Sequence, residues 1–351
     1  MGGLERQILE IAKMLSNSGF TVFIITLDSS DAKPFYSVPN SICIIPIKIG
    51  DPDLTASLKT KLQRQLAMRK IIREIQPVAG IAFMFGGYLM SRFAMFASRA
   101  PLILAERNSP TMYEFTKIRK IRYLLFLSMI FAKRITVQFE SYKYKYPKYL
   151  QKKIIVVPNS ILDIGIVEKS PSEHVRFVYA GRFSFQKQVI RLLEGYSIFI
   201  RENPNTTLKL YGEGEQFLQL RHKIEELQID SYVSLLPATE FKSLIQETDA
   251  LCLLSKWEGF PNIVAESLMA GIPVVGFSNC DGVSDLVQDG VNGWLEHDSG
   301  ELSEVVKLLR RAQDGINNKK IDKRIIRQSV QKYSDDIVFD KWLKLIAEIE
   351  K

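Results

Sequence analysis

Short apolar runs alternate with longer amphipathic stretches from one end of the chain to the other. Runs bounded by turn residues read as strands, and apolar positions recurring every three to four residues read as helices. In the first half this predicts strands at Phe20 to Leu27, Ile42 to Ile47, Val78 to Phe85, Leu102 to Ala105, Ile135 to Gln138 and Ile154 to Val157. Helical patterns fall at Leu4 to Asn17, Leu54 to Ile75, Met112 to Phe131 and Ser141 to Leu150. The second half repeats the rhythm, with strands predicted at Phe177 to Ala180, Thr207 to Tyr211, Val233 to Leu236, Leu251 to Leu254, Val274 to Phe277 and Trp294 to Leu295. Such alternation predicts an α/β protein of two doubly wound parallel sheets covered by helices. Ligands then bind beyond the carboxyl ends of the strands, and the expected active site is a cleft that the two domains face.

The expected domains are 1–160 and 161–334, with a hinge near 160–174 where Ser170-Pro171-Ser172 sits in a polar stretch. Residues 335–351 read as a C-terminal helix able to pack back on the first domain. The chain opens with Met1-Gly2-Gly3 directly on a helix, whereas a doubly wound domain normally puts a strand ahead of its first glycine turn. The expectation is therefore a first sheet short of its opening strand, through a late start codon or a truncation.

Charge separates the halves more sharply than hydropathy does. Of 47 Lys and Arg and 39 Asp and Glu, residues 1–160 carry 24 and 10, a net of +14, which leaves 23 and 29, a net of −6, for the rest. The basic half calls for an anionic partner. No helix-turn-helix, RNA-binding or zinc-finger signature is present, so nucleic acid is not expected and an anionic membrane surface is. Lys117, Arg119, Lys120 and Arg122 precede the uncharged run Tyr123 to Ala132, and Lys133 and Arg134 follow it. A membrane-spanning helix needs roughly 20 residues, so this run is expected to be a buried core helix, the favoured reading, or one lying at an interface, with the flanking cations and Lys59, Lys61, Arg64, Arg69, Lys70 and Arg73 as the membrane-facing patch. Cysteine occurs three times, at Cys43, Cys252 and Cys280, a spacing that gives neither a disulfide framework nor a zinc pattern. With no signal peptide visible, the expected location is cytoplasmic.

Three segments carry candidate chemistry. In Ser255-Lys-Trp-Glu-Gly-Phe-Pro-Asn-Ile-Val-Ala-Glu266 a strand ends and a helix begins at Pro261 or Asn262. The positive end of that helix suits a diphosphate. Glu258 lies before the helix and Glu266 about one turn inside it, so one carboxylate can hold sugar hydroxyls and the other a ribose. Alone, the spacing would be better read as an acidic helix start and a solvated helix residue. Arg182 and Lys187 follow another strand and put two cations on the same strand-end face, where they would stabilise charge growing on a departing diphosphate. Gly212 and Gly214 follow a third strand and permit close backbone approach to a ligand.

In order along the chain, these blocks resemble the glycosyltransferase family 4 enzymes, retaining transferases of GT-B architecture. The matching blocks are Gly2-Gly3-Leu-Glu-Arg6 with Ser18-Gly19-Phe20-Thr-Val22, Ala105-Glu-Arg-Asn108, Val157-Pro-Asn159, Gly181-Arg182 with Lys187, Gly212-Glu-Gly214, Glu258-Gly-Phe-Pro-Asn262 with Glu266, and Gly290-Val-Asn-Gly293. The resemblance implies that Glu258 holds the transferred sugar, Glu266 the ribose, and Arg182 and Lys187 the diphosphate. Gly3 would let a first-domain loop approach the phosphates, and the backbone around Gly259, Phe260, Pro261 and Asn262 would complete the donor site. On the acceptor side, Glu106 would orient the acceptor hydroxyl and Arg107 pair an acceptor phosphate, with Asn108 and Asn159 beside them; a structural Glu106–Arg107 pair is the alternative. Gln188 departs from the family pattern, which usually has glycine after the lysine.

The function so implied moves a hexose or N-acetylhexosamine from a UDP-sugar to a lipid-linked saccharide, as in bacterial polysaccharide, O-antigen or capsule biosynthesis, at the inner face of the membrane. UDP-sugar is a co-substrate, and neither cofactor nor metal is expected. Two alternatives share the architecture, a sugar-nucleotide 2-epimerase and a catalytically inactive membrane-associated homologue.

Overall fold

The computed structural model describes residues 3–28, 36–51, 54, 56–96, 98, 100–166 and 169–349, apart from the side chains of residues 117 and 118. It divides into two compact units, residues 1–160 with 336–351, and residues 161–335. Gly2 lies outside the described residues.

The first unit contains strands β1 (Val22–Thr26), β2 (Ile42–Pro46), β3 (Gly80–Phe83), β4 (Leu102–Ala105), β5 (Arg134–Val137) and β6 (Ile154–Val156). Its helices are α1 (Gly3–Asn17), α2 (Leu58–Ile75), α3 (Met84–Ala94), α4 (Met112–Phe115), α5 (Arg122–Ser128), α6 (Glu140–Lys145) and α7 (Lys148–Gln151). All pairings are parallel, but the strands form two sheets rather than the single one expected: β1-β2, and β3-β4-β5-β6. β1 and β3 do not hydrogen-bond to each other, although Val22 and Ile81 pack on the same core cluster. That cluster joins Ile11, Met14 and Leu15 of α1 to Ile103 and Ala105 of β4 and to Val338, Trp342, Leu345 and Ile346 of the C-terminal helix (Asp335–Ile349). α1 stops where Ser18 Oγ donates to the Met14 carbonyl and Phe20 N donates to the Leu15 carbonyl, with Gly19 between them at φ 91°.

Two expected helices are broken. Met112 to Phe131 splits into α4, a 3₁₀ turn, α5 and a second 3₁₀ turn, because Thr116 is extended (φ −117°, ψ 162°). Pro147 separates α6 from α7 in the same way. The core-helix expectation for Tyr123 to Ala132 is half right: Leu125, Phe126 and Met129 are buried, while Tyr123, Leu124 and Phe131 are about two-thirds exposed (68%, 67% and 65%). Arg64 also leaves the expected membrane-facing patch. It is buried, its Nε donating to the Ile49 carbonyl at 2.8 Å and its Nη2 to the Asp51 carbonyl at 3.1 Å. Cations left unneutralised by burial belong in water, so an arginine that turns inward spends its donors on backbone oxygens.

The second unit is one six-stranded parallel sheet in the order β12-β11-β10-β7-β8-β9. Its strands are β7 (Val175–Ala180), β8 (Thr206–Tyr211), β9 (Val233–Leu236), β10 (Ala250–Leu253), β11 (Val274–Phe277) and β12 (Gly293–Glu296). The helices between them are α8 (Val189–Phe199), α9 (Phe217–Glu226), α10 (Phe241–Leu244), α11 (Asn262–Met269) and α12 (Val283–Leu286), followed by α13 (Leu302–Asn317), α14 (Lys323–Gln328) and, returning to the first unit, α15 (Asp335–Ile349). Four strands, β7, β8, β10 and β11, are buried at nearly every position or alternate buried with half-buried, as a sheet covered on both faces requires. No described helix is long and apolar enough to cross a membrane.

Trp342 of α15 is 1% exposed and joins α15 to the first unit's core. Trp342→Ala is expected to destabilise that unit by about 3–5 kcal/mol, read as a lower denaturant midpoint with an unchanged slope.

Candidate active site

Strand order fixes where the second unit can bind a ligand. After β7 the chain adds β8 and β9 on one side, then crosses back to add β10, β11 and β12 on the other. The topological switch point therefore lies between β7 and β10, where two loops leave neighbouring strand ends in opposite directions and open a crevice. Those two loops contain Arg182 and Lys187 after β7, and Glu258 with Gly259 to Asn262 after β10.

The loops are laced together. Lys256 N donates to the Gln186 carbonyl at 2.9 Å, Gln186 Nε2 to the Trp257 carbonyl at 2.7 Å, and Gln188 Nε2 to the Leu254 carbonyl at 2.8 Å. Within this lacing Lys187 Nζ meets Glu258 Oε1 at 2.6 Å, with side chains 19% and 8% exposed. An ion pair this short and this shielded is costly to assemble and strongly favoured once both charges are in place. Its field reaches neighbouring groups. Burial and the Glu258 charge hold the Tyr179 hydroxyl well above its ordinary pKa, and burial raises the Cys280 thiol, with Glu258 adding to the effect and Lys187 opposing it.

Glycine lets the adjoining loops approach this closely. A Cβ on Gly212 would collide with the Gly181 carbonyl oxygen, and one on Gly282 would sit 2.6 Å from the Gly259 carbonyl oxygen, at φ 79°. Gly214 N-terminal to α9 packs likewise on Phe183, whose N–H donates to the Glu213 carbonyl at 2.8 Å. A cavity of about 350 Å³ lies against this turn, lined by Gly212, Glu213, Gly214, Phe217, Leu235 and Pro237. α11 begins at Asn262 with Pro261 as its extended N-cap; Phe260 is buried edge-on to Tyr333, and Glu266 is half-buried one turn into the helix. Arg182 is exposed, and its carbonyl accepts from Tyr179 Oη at 2.8 Å.

The first-unit candidates separate into two groups. Gly3 is exposed as the first residue of α1. Glu106 and Arg107 follow β4 and are both buried, yet they point to different surroundings. Arg107 Nη1 donates to the Val157 carbonyl and to Asn159 Oδ1, both at 3.2 Å, and its guanidinium lies 5.7 Å from the Phe83 ring and 5.3 Å from the Trp342 ring. That is a cation stacked into the core beneath α15 and bonded through Nη1, while its Nε and Nη2 are buried without a hydrogen-bond partner among the described residues. Asn108 Nδ2 lies 4.0 Å from Met84 Sδ. Among the described residues, Glu106 Oε1 is buried without a hydrogen-bond partner, as are Gln138 Oε1, Thr136 Oγ1 and the hydroxyls of Tyr113 and Tyr146. Burial lifts the Glu106 carboxyl to about 7, against the pull of Arg107.

Sequence reasoning missed Gly282, Tyr113, Tyr146 and the clasping role of Gln188. Gln188 sits at φ 52°, ψ 35°, a left-handed conformation, and its side chain bonds to the Leu254 carbonyl. Glycine is the easy residue at such a position, and the amide clasp here offsets the strain. Gln188→Ala, which keeps the strain and loses the clasp, is expected to cost about 1–2 kcal/mol, while Gln188→Gly stays near the wild-type midpoint in thermal unfolding. For Glu106 the raised pKa means that the folded state favours the neutral acid. Its stabilising effect is present below about 4.5 and lost as pH rises through about 7. At about 1.4 kcal/mol per pH unit of displacement, the loss would approach about 3 kcal/mol. Glu106→Gln should flatten the stability profile between pH 5 and 8.

Residues 164–329 match the family model for glycosyl transferases group 1. An uncharacterized glycosyltransferase of Haemophilus influenzae is 28% identical over 314 residues, 88% of this chain and 86% of the relative. A Campylobacter jejuni α-1,4-N-acetyl-D-galactosaminyltransferase, named for a diphospho-undecaprenol-linked saccharide, is 24% identical over 99% of this chain and 96% of its own. Among solved structures, the apo lipopolysaccharide outer core galactosyltransferase superposes with a TM-score of 0.78 at 20% identity, covering 99% of this chain and 96% of that one. An Anabaena protein solved in complex with UDP and glucose superposes with a TM-score of 0.76 at 17% identity over the same shares, 99% and 96%. With two parallel α/β units and the group 1 match on the second, the chain is a glycosyltransferase of the GT-B fold.

Proposed function

We propose that the chain is a retaining transferase of family 4 type that moves a hexose or N-acetylhexosamine from a UDP-sugar to a lipid-linked saccharide. The carrying observation is the Lys187–Glu258 pair at the switch point of the second unit. Glu258 would accept hydrogen bonds from hydroxyls of the transferred sugar, and Lys187, with Arg182, would take the charge that grows on the diphosphate. Glu266 would hold the ribose, and the N-terminal end of α11 would face the phosphates. The bond from the anomeric carbon to the diphosphate oxygen breaks, and its electron pair leaves with UDP. The acceptor hydroxyl forms the new bond on the same face and gives its proton to the departing diphosphate. No protein nucleophile and no metal are needed in this reading. The UDP-bound Anabaena structure and the lipid-linked substrate of the Campylobacter relative support the choice of donor and acceptor.

The first unit would meet the acceptor at an anionic membrane surface on the cytoplasmic side. On α2, Leu58, Leu62 and Leu66 are exposed at four-residue spacing among Lys59, Lys61, Arg69 and Lys70. Gln65 Nε2 on the same side donates to the Met90 carbonyl of α3 at 3.0 Å, whose neighbouring Phe93 and Phe96 are exposed too. Exposed leucine and phenylalanine among cations is the composition of a surface that lies on anionic lipid.

The test is UDP release from UDP-Glc, UDP-Gal, UDP-GlcNAc and UDP-GalNAc, with and without lipid extract from a polysaccharide-producing bacterium. One donor is expected to give acceptor-dependent release, and Glu258→Ala to lower kcat/KM by roughly 10²- to 10³-fold while UDP binding persists. Full activity in Glu258→Ala would remove the site assignment. For the membrane, co-sedimentation with anionic vesicles at low salt should fall when Leu62 and Leu66 are replaced by serine.

A further inference from the structure

A second pocket, of about 640 Å³, lies in the first unit among α4, α5 and α6. Its walls are aromatic: Tyr113 meets Phe126 edge-on at 5.7 Å, and Phe126 meets Tyr146 at 5.4 Å. Its rim is charged. Arg122 and Lys145 line it, Lys145 Nζ reaching Thr111 Oγ1 at 3.0 Å, with one carboxylate, Glu114, 3.8 Å from Arg122. Tyr113 and Tyr146 are each 2% exposed, and both hydroxyls lack a hydrogen-bond partner among the described residues. Both hydroxyls are themselves buried, so the rings and not the hydroxyls form the face of the pocket wall. Both tyrosines lie close enough to Glu106 for its charge to act on them, which ties the pocket to the strand-end carboxyl after β4.

α5 connects this pocket to an apolar surface. Arg122 and Phe126 are four residues apart and share the face that lines the pocket. Going round the helix, Tyr123 comes next, then Leu127 and Leu124, all exposed, and Phe131 follows just beyond the helix under the Arg92 guanidinium, 5.7 Å from its ring. One short helix thus carries, side by side, a cationic aromatic pocket and an uncovered apolar face. A ligand matching both has an anionic head and a hydrocarbon tail.

We propose that the pocket among α4, α5 and α6 binds the phosphate-bearing head of a lipid-linked acceptor, with the start of its hydrocarbon chain lying along Tyr123, Leu127 and Leu124. The head oxygens accept from Arg122 and Lys145 at the rim, and the rings of Tyr113, Phe126 and Tyr146 form the wall behind them. This rests on the reading of the acceptor as lipid-linked, and it assigns a binding site where that reading names only a substrate class.

The experiment is equilibrium binding of farnesyl diphosphate, inorganic diphosphate and farnesol to the full chain, beside UDP binding as an independent donor-side readout. Farnesyl diphosphate is expected to bind more tightly than either fragment. The double variant Arg122→Ala, Lys145→Ala should weaken it about tenfold and leave UDP binding unchanged, and Arg122→Lys with Lys145→Arg should restore most of the loss. Leu124→Ser with Leu127→Ser should weaken farnesyl diphosphate and farnesol but not inorganic diphosphate. Equal binding of farnesyl diphosphate by the wild type and the Arg122, Lys145 double variant would overturn the proposal, as would an affinity for inorganic diphosphate or farnesol matching that of the whole molecule. A chain that binds farnesyl diphosphate as described but neither binds UDP nor consumes any UDP-sugar would instead defeat the transferase reading and leave this site standing.

Discussion

The second unit depends on a single constraint: two parallel strands, β7 and β10, that are neighbours in the sheet but whose chains leave it in opposite directions. No loop can cover the gap between their carboxyl ends without crossing one of these connections, so the gap stays open and polar groups collect in it. Lys187 and Glu258 meet there at 2.6 Å, held by backbone and amide bonds from residues on either side of each. The pair fixes both loops at once. In the proposed reading, a cation for a departing diphosphate and a carboxylate for sugar hydroxyls are thereby presented in fixed register, before any substrate arrives.

Much of this was legible in the sequence, for identifiable reasons. A parallel strand covered on both faces is mostly apolar, so the twelve described strands coincide with short, mainly apolar runs, with ends displaced by at most a residue or two from those observed. The residues proposed for donor chemistry follow strand ends that glycine and proline punctuate, which is why Arg182, Lys187, Gly212, Gly214 and Glu258 stand out by position. Where periodicity and local geometry disagreed, the reading failed. Met112 to Phe131 has enough apolar residues for a helix, but the extended backbone at Thr116 divides them between a buried face and an exposed one. Arg64 looked like one more surface cation in a basic helix, and nothing in the one-dimensional pattern shows that the Ile49 and Asp51 carbonyls draw it inward.

The first unit shows how burial can give two adjacent residues opposite fates. Glu106 and Arg107 both follow β4, and side chains at successive extended positions point to opposite faces. Arg107 turns toward Phe83, Trp342 and Asn159, with its Nε and Nη2 left without hydrogen-bond partners among the described residues. Glu106 turns toward a region of unpartnered tyrosine and glutamine oxygens, with its carboxyl raised by desolvation to about 7. The two residues of this sequence block thus have different surroundings, an aromatic one for Arg107 and a tyrosine-lined one for Glu106. The strong positive charge of residues 1–160 lies largely on α2 and around α5, beside exposed leucine and phenylalanine, and not at the end of β4.

The most direct test of the central claim is a crystal structure of the protein with UDP bound. The account predicts the diphosphate at the carboxyl ends of β7 and β10, within hydrogen-bonding distance of Lys187 and Arg182, with Lys187 Nζ drawn from Glu258 toward a phosphate oxygen. A nucleotide bound elsewhere, or one that leaves both cations untouched, would contradict it.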